Sequence, residues 1–509
     1  ASASITGMIF CFDRKRKSDG KTKDHSRDGG RGRRFYAYDR RGEKETFTFE
    51  CKIYGNFQTK GRRIKIMNIQ LSDHFTYRRL IRFTISTVLM LICTSMYSIV
   101  DGLFVSNYVG KMPFAATNLI WPVSMGIAAI GFMLGTGGSA IVAKTLGEGK
   151  KEKANQYFSM ILYFGIIVSV IFSVICFIFT PQIARMLKAD GELLEHCIVY
   201  GRILFATQTA FILQNMFQSF LVAAEEPVLS LKINIAAGLT NVVFDYLFIA
   251  VFEWGVAGAA IATGMGQIVG GIAPFFFFAK GSRNGLRITW RTKLYKDILL
   301  KTCMNGSSEM VTNLSTSLVN ILYNFQLMKL AGADGVAAFG VIMYVNFIFV
   351  AVFMGYSVGS APIVSYHYGA GNDAELHNLY RKSKNILIVA GIVLTIAAEI
   401  LSMPLVRIFV NYDKELLLMT VRGFRLFSFS FLIMGINIWA SSFFTALNNG
   451  FVSAAISFLR TFLFQVAAVC FLPLIIGIDG VWTSVLAAET MALAVTIIFL
   501  IKEKKKYRY

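Results

Sequence analysis

Three side chains carry the chemistry that this sequence suggests: Asp101, Asn241 and Asp245. Each sits in an apolar run long enough to cross a bilayer, where a carboxylate costs roughly 2.5–3.5 kcal/mol on insertion scales and marks a candidate functional site. Asn241 precedes Asp245 by four residues, so the two share a helix face one turn apart. Counted inward from the ends of their runs at about 1.5 Å per residue, Asp101, Asp245, Thr263 and Tyr200 all fall roughly 5–12 Å below the same membrane face. Two carboxylates, an amide, a hydroxyl and a phenol in one dry layer can hold a hard cation such as Na+ at Asp101, Asp245 and Asn241, or share a proton between the acids. Asp245 and Asn241 could instead merely pair with each other or with backbone across a helix bundle.

A second polar face runs through Asn305, Ser308, Glu309, Thr312 and Ser315 and could line a cavity. Phe325, Met343 and Met354 could add an adaptable surface for flat cationic or apolar molecules. Glu399 and Glu489 are lone acids in other runs and read as helix-end or packing residues as readily as anything else.

These residues must be positioned by membrane helices. Of 509 residues, 55% are hydrophobic and 45 are Phe; the mean hydropathy is +0.55, well above that of an ordinary globular chain. Apolar runs of about 20 residues, the length that spans roughly 30 Å of hydrocarbon, recur near 81–105, 114–142, 157–180, 197–222, 228–252, 255–279, 306–330, 336–364, 385–409, 417–445, 451–473 and 478–501. The reading is an all-α polytopic membrane protein of twelve transmembrane helices. If the spans alternate, the lysine- and arginine-rich segments near 78–82, 144–153, 280–296, 381–384 and 502–508 share one side, which the positive-inside bias assigns to the cytoplasm with both termini.

The chain also repeats itself at an offset of 222 residues, as in Gly110/Gly332, Gly147/Gly369, Gly149/Gly371, Leu204/Leu426, Phe205/Phe427 and Gly255/Gly477. Six spans per repeat make the halves parallel, related by an axis along the membrane normal. The organisation is then a disordered basic extension at 1–66, a first lobe at 67–279, a cytoplasmic connector at 280–304, a second lobe at 305–501 and a basic tail at 502–509. The repeat is not chemically symmetric: Asp101 corresponds to Tyr323 and Asp245 to Ala467, so ion chemistry is expected in the first lobe only.

The net charge of +21 does not point to nucleic acid, because 1–66 alone holds 18 Lys+Arg against 8 Asp+Glu and most of the rest follows the loops. The seven cysteines form no CxxC, there is no GxxxxGK(S/T) or HExxH string, and none of the five histidines lies in the core of a span. An enzyme, an ATP-driven pump and a bound cofactor are therefore not expected. Arg202, Arg422, Arg425 and Arg460 read as lying near span ends, which leaves few intramembrane cations.

The twelve spans, the VDGLFV string at 100–105, AKTLGEG at 143–149 with its echo SYHYGAG at 365–371, and Asn-x-x-x-Asp at 241–245 with Thr263 eighteen residues on resemble the multidrug and toxic compound extrusion (MATE) family over about 75–505. Gly306-Ser307-Ser308-Glu309 looks like the bacterial branch that includes the staphylococcal multidrug exporter. The resemblance implies two six-helix lobes in a V, a cation gradient (H+ or Na+) driving efflux of amphipathic or cationic organic compounds, and a first-lobe ion network of Asp101, Asn241, Asp245, Thr263 and Tyr200. It further implies a multi-pass cell-membrane protein that contacts lipid, acts as a monomer and binds no nucleic acid. Some members bind Na+ through acids of the seventh and tenth spans, but the tenth span here has none. A lipid-linked oligosaccharide flippase of the same superfamily is the alternative, and it would need intramembrane cations for a diphosphate.

Overall fold

The computed structural model describes residues 69–410 and 413–509, together with the strands β1 (Arg34–Tyr38) and β2 (Lys44–Thr48). The two strands form a unit of their own, paired antiparallel with Phe35 opposite Phe47. The rest of the expected disordered extension at 1–66 lies outside the described residues.

From Tyr77 onward the chain is helical, as it must be where lipid offers no partner for backbone N–H and C=O groups. The first half contains α1 (Tyr77–Phe104), α2 (Lys111–Gly147), α3 (Lys151–Ile178), a short α4 (Thr180–Met186), α5 (Gly191–Ala223), α6 (Pro227–Asp245) and α7 (Gly255–Lys280). The second half contains α8 (Lys296–Gly369), α9 (Asp373–Phe409), α10 (Lys414–Ser428), α11 (Phe431–Ala446), α12 (Gly450–Phe458), α13 (Phe464–Ile476) and α14 (Ile478–Tyr507). Among the described residues ten helical runs are long and apolar enough to cross a membrane, α12 and α13 counting as one run over Gly450–Ile476, and α10 with α11 makes an eleventh, bent by 51°. The 74-residue α8 is broken at Gly332, whose φ of 63° is closed to most side chains. It thus supplies both the seventh and eighth expected spans, which reconciles the count with twelve. Two boundaries move: α8 begins inside the expected connector 280–304, and α14 carries the expected tail as helix to Tyr507.

Local sequence explains where helices begin. Thr76, Asn372, Asp413 and Asn449 each place a side-chain oxygen on a first-turn N–H of α1, α9, α10 and α12. Three π-helical stretches, Val105–Val109, Tyr246–Val251 and Leu459–Leu463, interrupt or extend α1, α6 and the α12–α13 span. A π turn widens the helix locally and recurs at functional positions; here the three lie beside Asp101, Asp245 and Arg460.

The repeat is geometric as well as textual. Gly149 and Gly371 turn the chain out of α2 and α8 with φ of 76° and 66°. Just before them the two helices touch reciprocally. A Cβ on Gly147 would lie 2.1 Å from the Tyr366 carbonyl oxygen, and one on Gly369 would lie 2.0 Å from that of Lys144. At the offset of 222, Lys144 corresponds to Tyr366, so this is one contact made twice about a pseudo-twofold axis.

Further contacts between the halves extend partway along the helices. A Cβ on Gly137 would meet Thr302 O at 2.2 Å, one on Gly306 would meet Met133 O at 1.9 Å, and one on Gly355 would meet Val88 Cα at 2.4 Å. Toward the other end, Gly126 has only a Leu314 methyl at 3.9 Å, and Gly102, Gly110, Gly332 and Gly340 meet nothing within 4 Å. The halves are thus sealed at the end carrying the basic loops and part toward the other. Gly306→Val cannot fit this seal without separating two backbones. With Cys303 as the sole cysteine, the substitution is expected to raise its labelling by a membrane-impermeant maleimide several-fold; unchanged labelling would count against the seal.

The sealed end is further tied by the segment before α1. Leu71 and Phe75 are fully buried in the second half's core. The Leu71 N–H donates to Glu225 of the first half at 2.9 Å, while Phe75 N–H donates to Glu375 at 2.8 Å and Lys382 Nζ donates to Phe75 O at 2.6 Å. Phe75 also packs edge-on against Phe83 and His367. Removing a buried ring of this kind costs about 3–5 kcal/mol, so Phe75→Ala should lower the thermal midpoint of the purified protein clearly. A midpoint equal to the parent's would mean that the strap is not structural.

Candidate functional site

Where the halves diverge, α1 and α6 bring Asp101 and Asp245 together. Their carboxylates neighbour each other, and Asn241 Nδ2 donates to Asp101 Oδ1 at 3.5 Å, the long limit of such a contact. Asp245 is fully buried, yet neither of its oxygens meets a hydrogen-bond donor, and Asn241 Oδ1 also lacks a partner. A buried acceptor left this way carries the full desolvation penalty. The site therefore needs something positive between the two carboxylates: a proton, which would turn one acid into a donor, or a cation accepting oxygens from Asp101, Asp245 and Asn241.

The surrounding groups close this layer. Tyr200, from α5, is buried and close enough to experience both carboxylate charges. On α7, a Cβ at Gly266 would lie 3.2 Å from Asn241 Cβ, which shows how tightly α6 and α7 approach here. Thr263 is one turn farther along that face, at the level of Asp245, but it makes no hydrogen bond to either acid. Of the five residues expected in the network, the structure gathers Asp101, Asn241, Asp245 and Tyr200, with Thr263 adjacent.

Sequence reasoning missed Tyr97. It precedes Asp101 by four residues, experiences the Asp101 charge, and its ring packs 3.0 Å from where a Gly238 Cβ would stand. The spacing that linked Asn241 to Asp245 was the signal available for it.

A second polar region lies between the halves, nearer the sealed end. Thr136, Ser139 and Ser219 of the first half face Glu309, Met354 and Ser357 of the second across a small cleft. The other expected cavity residues are elsewhere. Asn305 is buried with Nδ2 donating to Thr445 O at 2.8 Å, a tie between α8 and α11. Phe325 is 67% exposed on the open half of α8, outside the cleft, and Met343 packs against the second half's core. The polar face rests on helical spacing within one span, whereas Phe325 and Met343 are candidates by residue type, which does not fix which neighbour a side chain meets.

The lone acids are also repositioned. Glu489 is buried and paired with Arg460 at 3.0 Å, while its other oxygen accepts from Asn437 Nδ2 at 2.7 Å. Arg460 thus lies inside the second half, not near a span end as the sequence suggested, and its charge bears on Glu309. Nearby, Tyr323, the repeat equivalent of Asp101, bonds Ser484 and Gln465 at 2.6 and 2.8 Å. Glu399 accepts from Ser428 at 2.6 Å. Among the described residues no group of three or more His, Cys, Asp or Glu could hold a metal ion.

Two parallel six-span repeats, sealed at one end and parted at the other around buried polar groups, have the architecture of a multi-pass membrane transporter. The comparisons narrow this. The MatE family model matches twice, over residues 87–247 and 310–471, once in each repeat; the chain belongs to this family of multidrug efflux transporters. The multidrug export protein MepA of Staphylococcus saprophyticus is 21% identical over 436 residues, covering 84% of this chain and 94% of that protein. MepA of Staphylococcus aureus strain MSSA476 is likewise 21% identical over 433 residues, with the same coverage. Among solved structures, an outward-facing multidrug resistance MATE transporter superposes with a TM-score of 0.80 at 21% identity, covering 86% of this chain and 97% of that one. A variant of the Vibrio cholerae MATE transporter VcmN gives 0.79 at 20% identity, with coverages of 84% and 97%.

Proposed function

We propose that the protein is a cation-coupled efflux antiporter of the cell membrane that exports amphipathic or cationic organic compounds by alternating access. The observation that carries this reading is the fully buried Asp245, which has no donor on either oxygen and the carboxylate of Asp101 beside it. Two adjacent carboxylates in a dry site need a proton or a cation between them. The charge state of the pair is therefore tied to the ion supply on whichever side the site faces.

The pair lies at the parted end, open to the side opposite the basic loops. With those loops in the cytoplasm, both termini are inside and the sealed end is the inner gate. Ion entry from outside neutralises the Asp101–Asp245 pair and shifts α1 and α6, whose π turns begin just beyond the two acids. Substrate then leaves from the space between the lobes, and ion release to the inside accompanies the return. The protein works as a monomer, since both repeats that form the cavity lie in one chain. Glu309 on the inter-lobe cleft supplies a negative group for a cationic substrate, with Met354 as an adaptable apolar wall.

The flippase alternative is less well supported, because Arg460 is already committed to Glu489 and the cleft around Glu309 is lined by hydroxyl and apolar side chains with no Lys or Arg. Proteoliposomes loaded with a fluorescent organic cation and given separate H+ and Na+ gradients test the reading. Efflux is expected under one of the two gradients. H+-driven efflux assigns a proton to the carboxylate pair, Na+-driven efflux assigns a metal cation, and efflux indifferent to both gradients overturns coupling.

A further inference from the structure

At the sealed end lies a cavity of about 470 Å3 that is separate from the ion layer and from the Glu309 cleft. Its walls come from both repeats: the end of α2 and start of α3 on one side, the start of α8 and the α11–α12 turn on the other. Four lysines, Lys144, Lys150, Lys153 and Lys301, line it against a single acid, Glu148. Glu148 is taken by Lys150 at 2.8 Å, and Lys144 lies over the Tyr368 ring at 5.1 Å. Lys153 and Lys301 form no ion pair among the described residues and are exposed to the cavity's mouth. Asn449 at the rim already reaches Glu503, which also pairs with Lys506.

The remaining wall is apolar and open. Phe451 is 73% exposed and Met304 is 52% exposed, both lining the cavity at the edge of spanning helices. The start of α12 also turns its N-terminal end toward the same space, and such an end favours an anion.

We propose that this cavity binds a phosphate-bearing anion and that its occupant is the headgroup of an anionic phospholipid. Uncompensated lysines suit phosphate oxygens, and a basic pocket between spanning helices at one membrane face is where headgroups are taken up. The exposed Phe451 and Met304 give the acyl chains a surface that a free phosphate compound would not use. The volume accommodates more than one phosphate, so a doubly charged headgroup is the better fit. Because Lys153 and Lys301 come from different repeats at the end where the halves meet, a bound headgroup bridges them and favours the sealed state over one opened at this end.

The test uses the full chain in phosphatidylcholine nanodiscs with fluorescent cardiolipin as the probe. Saturable binding is expected, weakening with salt and falling about thirtyfold in the double variant Lys153→Ala/Lys301→Ala, the equivalent of about 1 kcal/mol per lysine near the surface. The variant's thermal midpoint in phosphatidylcholine alone should equal the parent's, which separates lost binding from misfolding, and Lys296→Ala should bind as the parent does. Pyrophosphate and ATP form a second arm: if they bind in a lysine-dependent way while cardiolipin does not, the lipid assignment is overturned. Cardiolipin binding insensitive to the double variant overturns the site itself. The readout is binding rather than transport, so it stands or falls apart from ion coupling.

Discussion

Asp245→Asn should strongly depress gradient-driven efflux while leaving the protein inserted and folded. An amide in place of the carboxylate puts a hydrogen-bond donor between the two groups, where neither Asp101 nor Asp245 offers one, and so mimics permanently the state that ion uptake creates transiently. The pair of conformations linked by the ion would then lose its ion-dependent bias. A coupling free energy of about 1–3 kcal/mol corresponds to about a 5–150-fold effect, and removing it should depress gradient-driven efflux by a factor in that range. Asp101→Asn should act in the same direction, because either substitution removes one of the two charges. Neither should lower the thermal midpoint, since each relieves two carboxylates held side by side with no donor between them. Near-normal gradient-driven efflux in either variant would sink the coupling role, and a collapsed midpoint would show that the acids serve packing instead.

The geometry explains which parts of this were legible beforehand. Helix count, repeat and the Asn241–Asp245 face follow from lipid's demand for self-satisfied backbone and from the 3.6-residue period, both of which are local in sequence. The 222-residue echo could be read because the same turns recur, as at Gly149 and Gly371 with their positive φ. The surroundings of a side chain are not local. Phe325 and Met343 are candidates by residue type, and whether such a side chain meets a cavity, lipid or the core depends on tertiary neighbours: Phe325 is 67% exposed and Met343 packs against the second half's core. The π turns were equally hidden, since no residue type specifies them; they lie at Val105–Val109, Tyr246–Val251 and Leu459–Leu463, beside or at Asp101, Asp245 and Arg460.

Arg460 shows the same limit in a way that matters for energetics. A hydropathy scan pushes a basic residue toward the nearest span boundary, yet its partner Glu489 is on another helix and 29 residues away. Only the fold reveals that the two charges cancel inside the bundle.

That pairing yields the largest expected stability effect. Glu489 is 1% exposed and Arg460 9%, so neither charge can turn to solvent once its partner is gone. Breaking a buried pair from one side typically costs about 3–5 kcal/mol, because the remaining charge is left uncompensated, whereas replacing both partners by apolar groups of similar size is often neutral or stabilising. Glu489→Gln should therefore lower the thermal midpoint sharply, although Gln preserves the shape and can still accept from Asn437. Arg460→Met should cost as much, stranding Glu489 with Asn437 alone. The double variant Arg460→Met/Glu489→Leu should recover most of the loss, and a double-mutant cycle on thermal midpoints reads the coupling directly. Additive losses would mean that the pair is not the unit its 3.0 Å contact implies. The cycle also bears on Glu309, which feels the Arg460 charge. If the double variant folds but takes up organic cations differently from the parent, Arg460 acts on the inter-lobe cleft as well as on the second half's core, and the two buried charge clusters, one in each repeat, divide ion coupling from the setting of the substrate site.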